Sequence, residues 1–372
     1  MDTLHSGIVE PITLLNQHMI AQPDTDLAQL VTDANPPTEL GELKRESLDE
    51  PWPTLSGYLE EYYAQMGTQG DGLKTYFEPF DKALEGLRGI VIIGGEPGSG
   101  KTALAMQIAF DTASDPDGPP VLIYSFEMPK VQLVTRLFQR AGQIRYRAMQ
   151  QNQDKLLDFD LKRFRKAQET IQQAAGRIII RETKDFFSEK QTGGGIGADF
   201  DFGEQIRQVQ LLTETYGKPP LIVIDSLHEV PVEVKSSELK QKIDYIMLNL
   251  RNMCDQTGAT FIVISHQSRS GQKDGGLNSF LGSAGIEYTV DMACTIAIPI
   301  TKDDNNKEVR DPENPERELI FYKNRYGTKP KALLRFDGQY MDFKFIRMLS
   351  VLSDTSSLSE QKETGSKSRI NI

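Results

Sequence analysis

Gly89-Ile-Val-Ile-Ile-Gly-Gly95-Glu-Pro-Gly-Ser-Gly100-Lys-Thr-Ala103 decides how the rest of this chain is read. Ile90–Gly94 is a short apolar run, the pattern of a strand buried on both faces, and Ala103–Phe110 has the pattern of a helix. Between them, Gly95-Glu96-Pro97-Gly98-Ser99-Gly100-Lys101-Thr102 satisfies G-x-x-x-x-G-K-[ST]. In such a turn the glycines let successive backbone N–H groups face inward, and the helix N-terminus adds positive potential. The stretch therefore predicts a nucleoside-triphosphate site. Lys101 reaches the β- and γ-phosphates and Thr102 holds Mg²⁺, with Gly95 through Ala103 forming the cradle.

Outward from this loop, apolar runs alternate with helical patterns as far as about Phe345. The expected strands are Ile90–Gly94, Val121–Phe126, Ile178–Ile180, Leu221–Ile224, Phe261–Ser265, Met292–Ile298, Glu318–Tyr322 and Ala332–Phe336. A helix is expected from about Ser237 to Cys254, with an apolar stripe from Leu239 to Cys254. This alternation predicts an α/β fold, a mainly parallel central sheet with helices on both faces.

Three polar positions fall at expected strand ends. Asp225 closes Leu221–Ile224, as an acid directed at Mg²⁺ does, although an Asp capping the following turn reads the same. Glu127 follows Val121–Phe126 and is a candidate for activating water. A first-turn acid facing the dipole of the next helix has that position too. His266 follows Phe261–Ser265 and could bond a γ-phosphate or be an ordinary loop histidine.

Composition sets the outer limits. The 372 residues suffice for a large core, and the net charge is -11. Residues 1–57 hold ten acids against Lys44 and Arg45 and so contribute -8. This excludes a basic coat for nucleic acid but leaves room for a basic channel in a ring. The two cysteines cannot build a disulfide framework, and the four histidines show no zinc-ligand spacing. Apolar runs fall far short of the ~20 residues of a membrane span, and the Met-Asp start lacks a basic leader. A cytoplasmic protein, with no membrane partner, is expected. The expected divisions are an acidic, largely disordered arm at 1–53, a short amphipathic helix at 54–71, the nucleotide-binding domain at 72–348 and a disordered polar tail at 349–372.

Four further blocks carry a family resemblance. They are Gly72-Leu-Lys-Thr-Tyr-Phe-Glu-Pro-Phe-Asp81 with Leu84–Gly89, Ser125-Phe-Glu-Met128 with Leu133-Val-Thr-Arg136-Leu137, Leu281-Gly-Ser-Ala-Gly-Ile-Glu287 through Asp291, and Phe321-Tyr-Lys-Asn-Arg-Tyr-Gly327. In this order, from about Gly72 to Phe345, they resemble the RecA-like ATPase domain of the DnaB-family replicative helicases. The resemblance implies a ring, of six identical subunits in the family's manner, that couples Mg-ATP hydrolysis to movement on single-stranded DNA. It implies that Glu127 is the catalytic carboxylate, that Arg136 belongs to the nucleotide site, and that His266 senses the γ-phosphate where bacterial members carry glutamine. Lys323 and Arg325 match the pair that reaches the adjacent subunit's nucleotide. The loops holding Lys235, Lys240, Arg269 and Lys273 would face the DNA channel.

The chain departs from the family pattern in two places. An acidic arm and the Leu55–Met66 helix precede the ATPase domain where the family has a helical N-terminal domain, and Ser-Leu-His follows Asp225 in place of Tyr-Leu-Gln. These departures leave primase recruitment and step coupling outside what the resemblance implies, and make the acidic arm a candidate for a protein partner. Two other readings stand beside it: a RadA- or RecA-like recombination ATPase, and an ATP-switched oligomeric scaffold that recruits partners with little unwinding.

Overall fold

The computed structural model describes residues 72–151, 156–189, 196–198, 200–232, 239–266, 284–302 and 308–352, together with Leu55, Leu59, Tyr62 and Tyr63. The chain divides into two units, Met1–Gly70 and Asp71–Ile372. In the first, Leu55, Leu59, Tyr62 and Tyr63 are helical and exposed. Lys235, Arg269 and Lys273, the 1–53 arm and the 353–372 tail lie outside the described residues.

The second unit is built on a nine-stranded sheet. In chain order its strands are β1 (Ile90–Gly95), β2 (Val121–Ser125), β3 (Ile178–Glu182), β6 (Leu221–Asp225), β7 (Thr260–Ile264), β8 (Met292–Ala297), β11 (Glu316–Asn324), β12 (Lys329–Asp337) and β13 (Asp342–Leu352). Two small hairpins complete the set, β4 (Phe187–Glu189) with β5 (Ile196–Ala198) and β9 (Thr301–Lys302) with β10 (Glu308–Val309). The order across the sheet is β13-β12-β11-β8-β1-β7-β6-β2-β3. From β8 to β3 the strands are parallel, and β11, β12 and β13 close one side as an antiparallel meander.

Helices cover both faces: α1 (Glu78–Leu84), α2 (Lys101–Ser114), α3 (Lys130–Gly142), α4 (Tyr146–Met149), α5 (Asp158–Ala175), α6 (Phe202–Tyr216), α7 (Leu239–Thr257) and α8 (Ala284–Thr289). Successive residues of a strand point to opposite faces, so an all-apolar strand feeds two cores. Val91, Ile93, Val223 and Ile264 join the core under α1, α2 and α3, whereas Ile90, Ile92, Ile224 and Val263 join the one under α6 and α7.

The expected strands form, with ends shifted by a residue or more. One difference is larger. A polar tail is expected from 349, yet β13 continues to Leu352, because Lys331, Pro330 and Lys329 of β12 pair with Ser350, Val351 and Leu352. Ladder pairing there supports a segment whose composition alone reads as the end of the domain. Among the described residues no helix is long and apolar enough to cross a membrane.

Candidate nucleotide site

β1, β7, β6 and β2 are neighbours in the sheet and parallel. Their C-terminal ends therefore deliver the phosphate loop, His266, Asp225 and Glu127 to one rim, the position where open α/β sheets bind ligands. The loop itself turns through three glycines of positive φ. Gly98 has φ 79° in open space, so conformation alone demands glycine there. Gly100, at φ 102°, caps α2, and a Cβ on it would lie 2.6 Å from the Phe343 ring.

Lys101 curls into the turn, its Nζ donating to the carbonyls of Gly95 at 2.9 Å and Glu96 at 3.0 Å. Burial lowers its pKa, against the opposing pull of Glu127, Asp225 and Glu96. The Thr102 hydroxyl donates to Asp225 Oδ2 at 3.0 Å. Asp225 is 2% exposed, and burial, reinforced by the nearby Glu127 carboxylate, pushes its carboxyl up to about 6 against the bond from Thr102. Among the described residues its buried Oδ1 has no partner, nor has the Ser99 hydroxyl.

A buried acceptor of this kind is costly unless a ligand completes it. Asp225 Oδ1 beside the Thr102 hydroxyl is a hard-oxygen donor set suited to Mg²⁺ and its waters. The residues present thus fit the cation that the loop implies. Across the rim, His266 Nε2 lies 3.5 Å from Glu127 Oε2, and both line a cavity of about 280 Å³ with Lys101, Thr102 and Arg136. Burial lowers the Arg136 pKa, while Asp225 and Glu127 favour its charged form. Past Arg136, Gly338 and Met341 the cavity adjoins a groove of about 560 Å³ that also holds Gln132, Arg145 and Tyr146.

Sequence reasoning missed the support beneath the loop. The Gln107 side chain accepts from Phe343 N at 2.8 Å and donates to Phe343 O at 3.0 Å. Phe343 stacks on Phe336 at 4.5 Å, and Arg317 Nε donates to the Ser99 carbonyl at 3.2 Å. Arg310 pairs with Glu96 at 2.7 Å. Thus the C-terminal meander braces a turn more than 200 positions earlier in the chain. No local motif marks these residues, since their roles come from strand order.

The remaining expected residues lie apart. Lys240 is exposed in the first turn of α7. Lys323 and Arg325 do not line the cavity. β11 runs antiparallel to β8, so Asn324 pairs with Met292 and the chain reaches Arg325 at the rim opposite the phosphate loop. There Arg325 Nη1 donates to Asp291 Oδ1 at 3.0 Å and Nη2 to the Tyr288 carbonyl at 2.8 Å.

Residues 72–345 match the family described as the DnaB-like helicase C terminal domain. The chain belongs to that family. Among curated relatives, the probable replicative DNA helicase of Trieres chinensis is 26% identical over 281 residues, 73% of this chain and 57% of that protein. The replicative DNA helicase DnaB of Haemophilus influenzae is 24% identical over 281 residues, 73% of this chain and 55% of that protein. The chain thus spans rather more than half the length of these relatives. A solved DnaB-like replicative helicase, described with its interactions with primase, superposes with a TM-score of 0.64 at 20% identity, covering 91% of this chain and 76% of that one. This likeness establishes the RecA-like fold of the DnaB-type ATPase domain.

Proposed function

We propose that this protein is a ring-forming ATPase of DnaB type that couples hydrolysis of Mg-ATP at subunit interfaces to movement along single-stranded DNA. One observation carries the reading. Glu127, His266, Lys101 and Thr102 line one cavity, with Asp225 bonded behind Thr102, while Lys323 and Arg325 of the same chain stand at the opposite rim.

In this reading the loop amides and Lys101 hold the triphosphate, and the nucleoside lies in the adjoining groove against Tyr146. Thr102 and Asp225 would hold Mg²⁺, which would supply neutralisation of charge on the phosphate oxygens. Glu127 orients a water and accepts its proton, and the 3.5 Å approach of His266 keeps that carboxylate near the γ-phosphate position. His266 exchanges Glu127 for a γ-phosphate oxygen when substrate is present. Lys323 and Arg325 belong to the neighbour's site, where they add to Lys101 the cations that face the transferring phosphoryl group from across the interface, so full turnover requires assembly. Lys235, Lys240, Arg269 and Lys273 contact the DNA backbone, with homo-hexameric closure repeating these few charges around the strand.

The test is steady-state ATP hydrolysis with and without single-stranded DNA at two salt concentrations. Strong stimulation that fades with salt is the expected result. A rate indifferent to DNA, together with biological activity surviving Glu127→Gln, would overturn it in favour of the ATP-switched scaffold.

A further inference from the structure

A second groove, of about 720 Å³, opens where the first ends, Arg145 belonging to both. Its walls are the 145–151 segment, the start of α5 and the β12–β13 turn. The lining brings together Arg145, Arg147 and Arg163, the rings of Phe159 and Tyr340, and one acid, Asp160. None of these residues belongs to the phosphate loop or to the loops expected to face a DNA channel.

Two features set this surface apart. The first is charge: residues 130–166 hold ten Lys and Arg against three acids, in a chain whose net charge is -11. The second is exposed aromatic area beside that charge. Phe159 is 61% exposed, and Tyr146, on the neighbouring turn, is 52% exposed. Arg163 follows Phe159 by one helical turn and lays its guanidinium 4.0 Å over the ring. It is fixed there by a bond from Nη1 to the Gln143 carbonyl at 2.9 Å. The result is a flat, cationic platform at the groove's edge, already ordered before any ligand arrives.

We infer that this groove is a second binding site for single-stranded nucleic acid, with phosphates on Arg145 and Arg147 and a base stacked on the Phe159–Arg163 platform. Alternation of guanidinium groups with exposed aromatic faces is what a single strand requires, because every base has a π-face and every linkage a charge. An acidic polypeptide needs only the cations. It would leave the exposed Phe159 face without a use.

The inference is separate from the channel loops and adds to the proposed activity. The full chain is titrated with a fluorescent dT20 oligonucleotide by anisotropy at several salt concentrations, as wild type, Arg147→Glu and Phe159→Ala. Both variants are expected to bind more weakly, Phe159→Ala by about 5- to 100-fold, as loss of one stacked base implies. The salt slope should become shallower by about one in Arg147→Glu only. ATP hydrolysis without DNA stays at the wild-type rate. Affinity and slope unchanged in both variants would overturn the groove assignment while leaving the proposed motor standing, and a wild type that binds no dT20 would overturn both. Polyglutamate binding that Arg147→Glu abolishes, with dT20 affinity intact in Phe159→Ala, would make the groove a site for acidic polypeptide instead.

Discussion

Arg325 donates to the buried carboxylate of Asp291 at 3.0 Å, on the rim of the sheet that faces away from its own chain's phosphate loop. Asp291 does not depend on it, since Arg251 Nη2 holds the other oxygen at 2.6 Å and the Ile90 amide donates to it at 2.8 Å. An arginine stored in this way can leave without stranding a buried charge.

Arg325→Ala should therefore cost little stability yet lower ATP turnover by about 10³-fold or more, if it serves the neighbour's site. The decisive measurement is mixing. Arg325→Ala and Lys101→Ala chains, each inactive alone, should recover part of the wild-type rate together, because some interfaces then pair an intact loop with an intact arginine. No recovery at any ratio would assign Arg325 a role within its own chain.

Glu127→Gln retains size and polarity but removes the base. ATP turnover should fall by about 10²–10⁴-fold with nucleotide affinity maintained, measured by a fluorescent ATP analogue alongside steady-state hydrolysis. Comparable loss of binding would place the carboxylate in holding nucleotide.

Gln107→Leu tests the support beneath the loop. It leaves the buried Phe343 N–H and C=O without partners, at about 1–3 kcal/mol for each group. Chemical denaturation should show a loss of about 2–6 kcal/mol, and the affinity for ATP should fall because Phe343 no longer holds Gly100 from below. Unchanged stability would show that the meander braces the loop by other contacts.

His228 gives a pH signature. Its ring lies 5.5 Å from that of His266, neither of its nitrogens has a partner among the described residues, and burial, with His266 and Lys242 nearby, lowers its pKa to about 4. The unfolded chain therefore binds more protons than the folded one between about pH 6.5 and 4, so stability from this group is present above 6.5 and lost on acidification. Thermal melts of wild type should fall more steeply across that window than those of His228→Gln. Parallel curves would remove the histidine from the account.

The phosphate loop, the two-faced strands and the acid-ended strand of Asp225 were legible because each depends on local sequence. A continuous apolar run in a strand feeds two cores wherever it lies, and a Gly-rich turn before a helix presents amides whatever surrounds it. His266 and Glu127 were legible as strand ends, but their 3.5 Å approach was not, since it depends on β7, β6 and β2 being neighbours. The opposite holds for Gln107, Phe343 and Arg317, whose residue types suggest only an ordinary core.

By itself the sequence determined the fold class, the nucleotide loop and the family, through short motifs whose backbone geometry is fixed by glycine, strand period and helix start. Tertiary structure alone decided which strand ends share a rim, that the last three strands brace the first loop, and that Arg325 lies against Asp291 away from its own site. The physical reason is range. Glycine torsions and side-chain alternation act over a few residues, whereas strand order and direction are set by burying two faces at once, and no stretch of sequence expresses that condition alone.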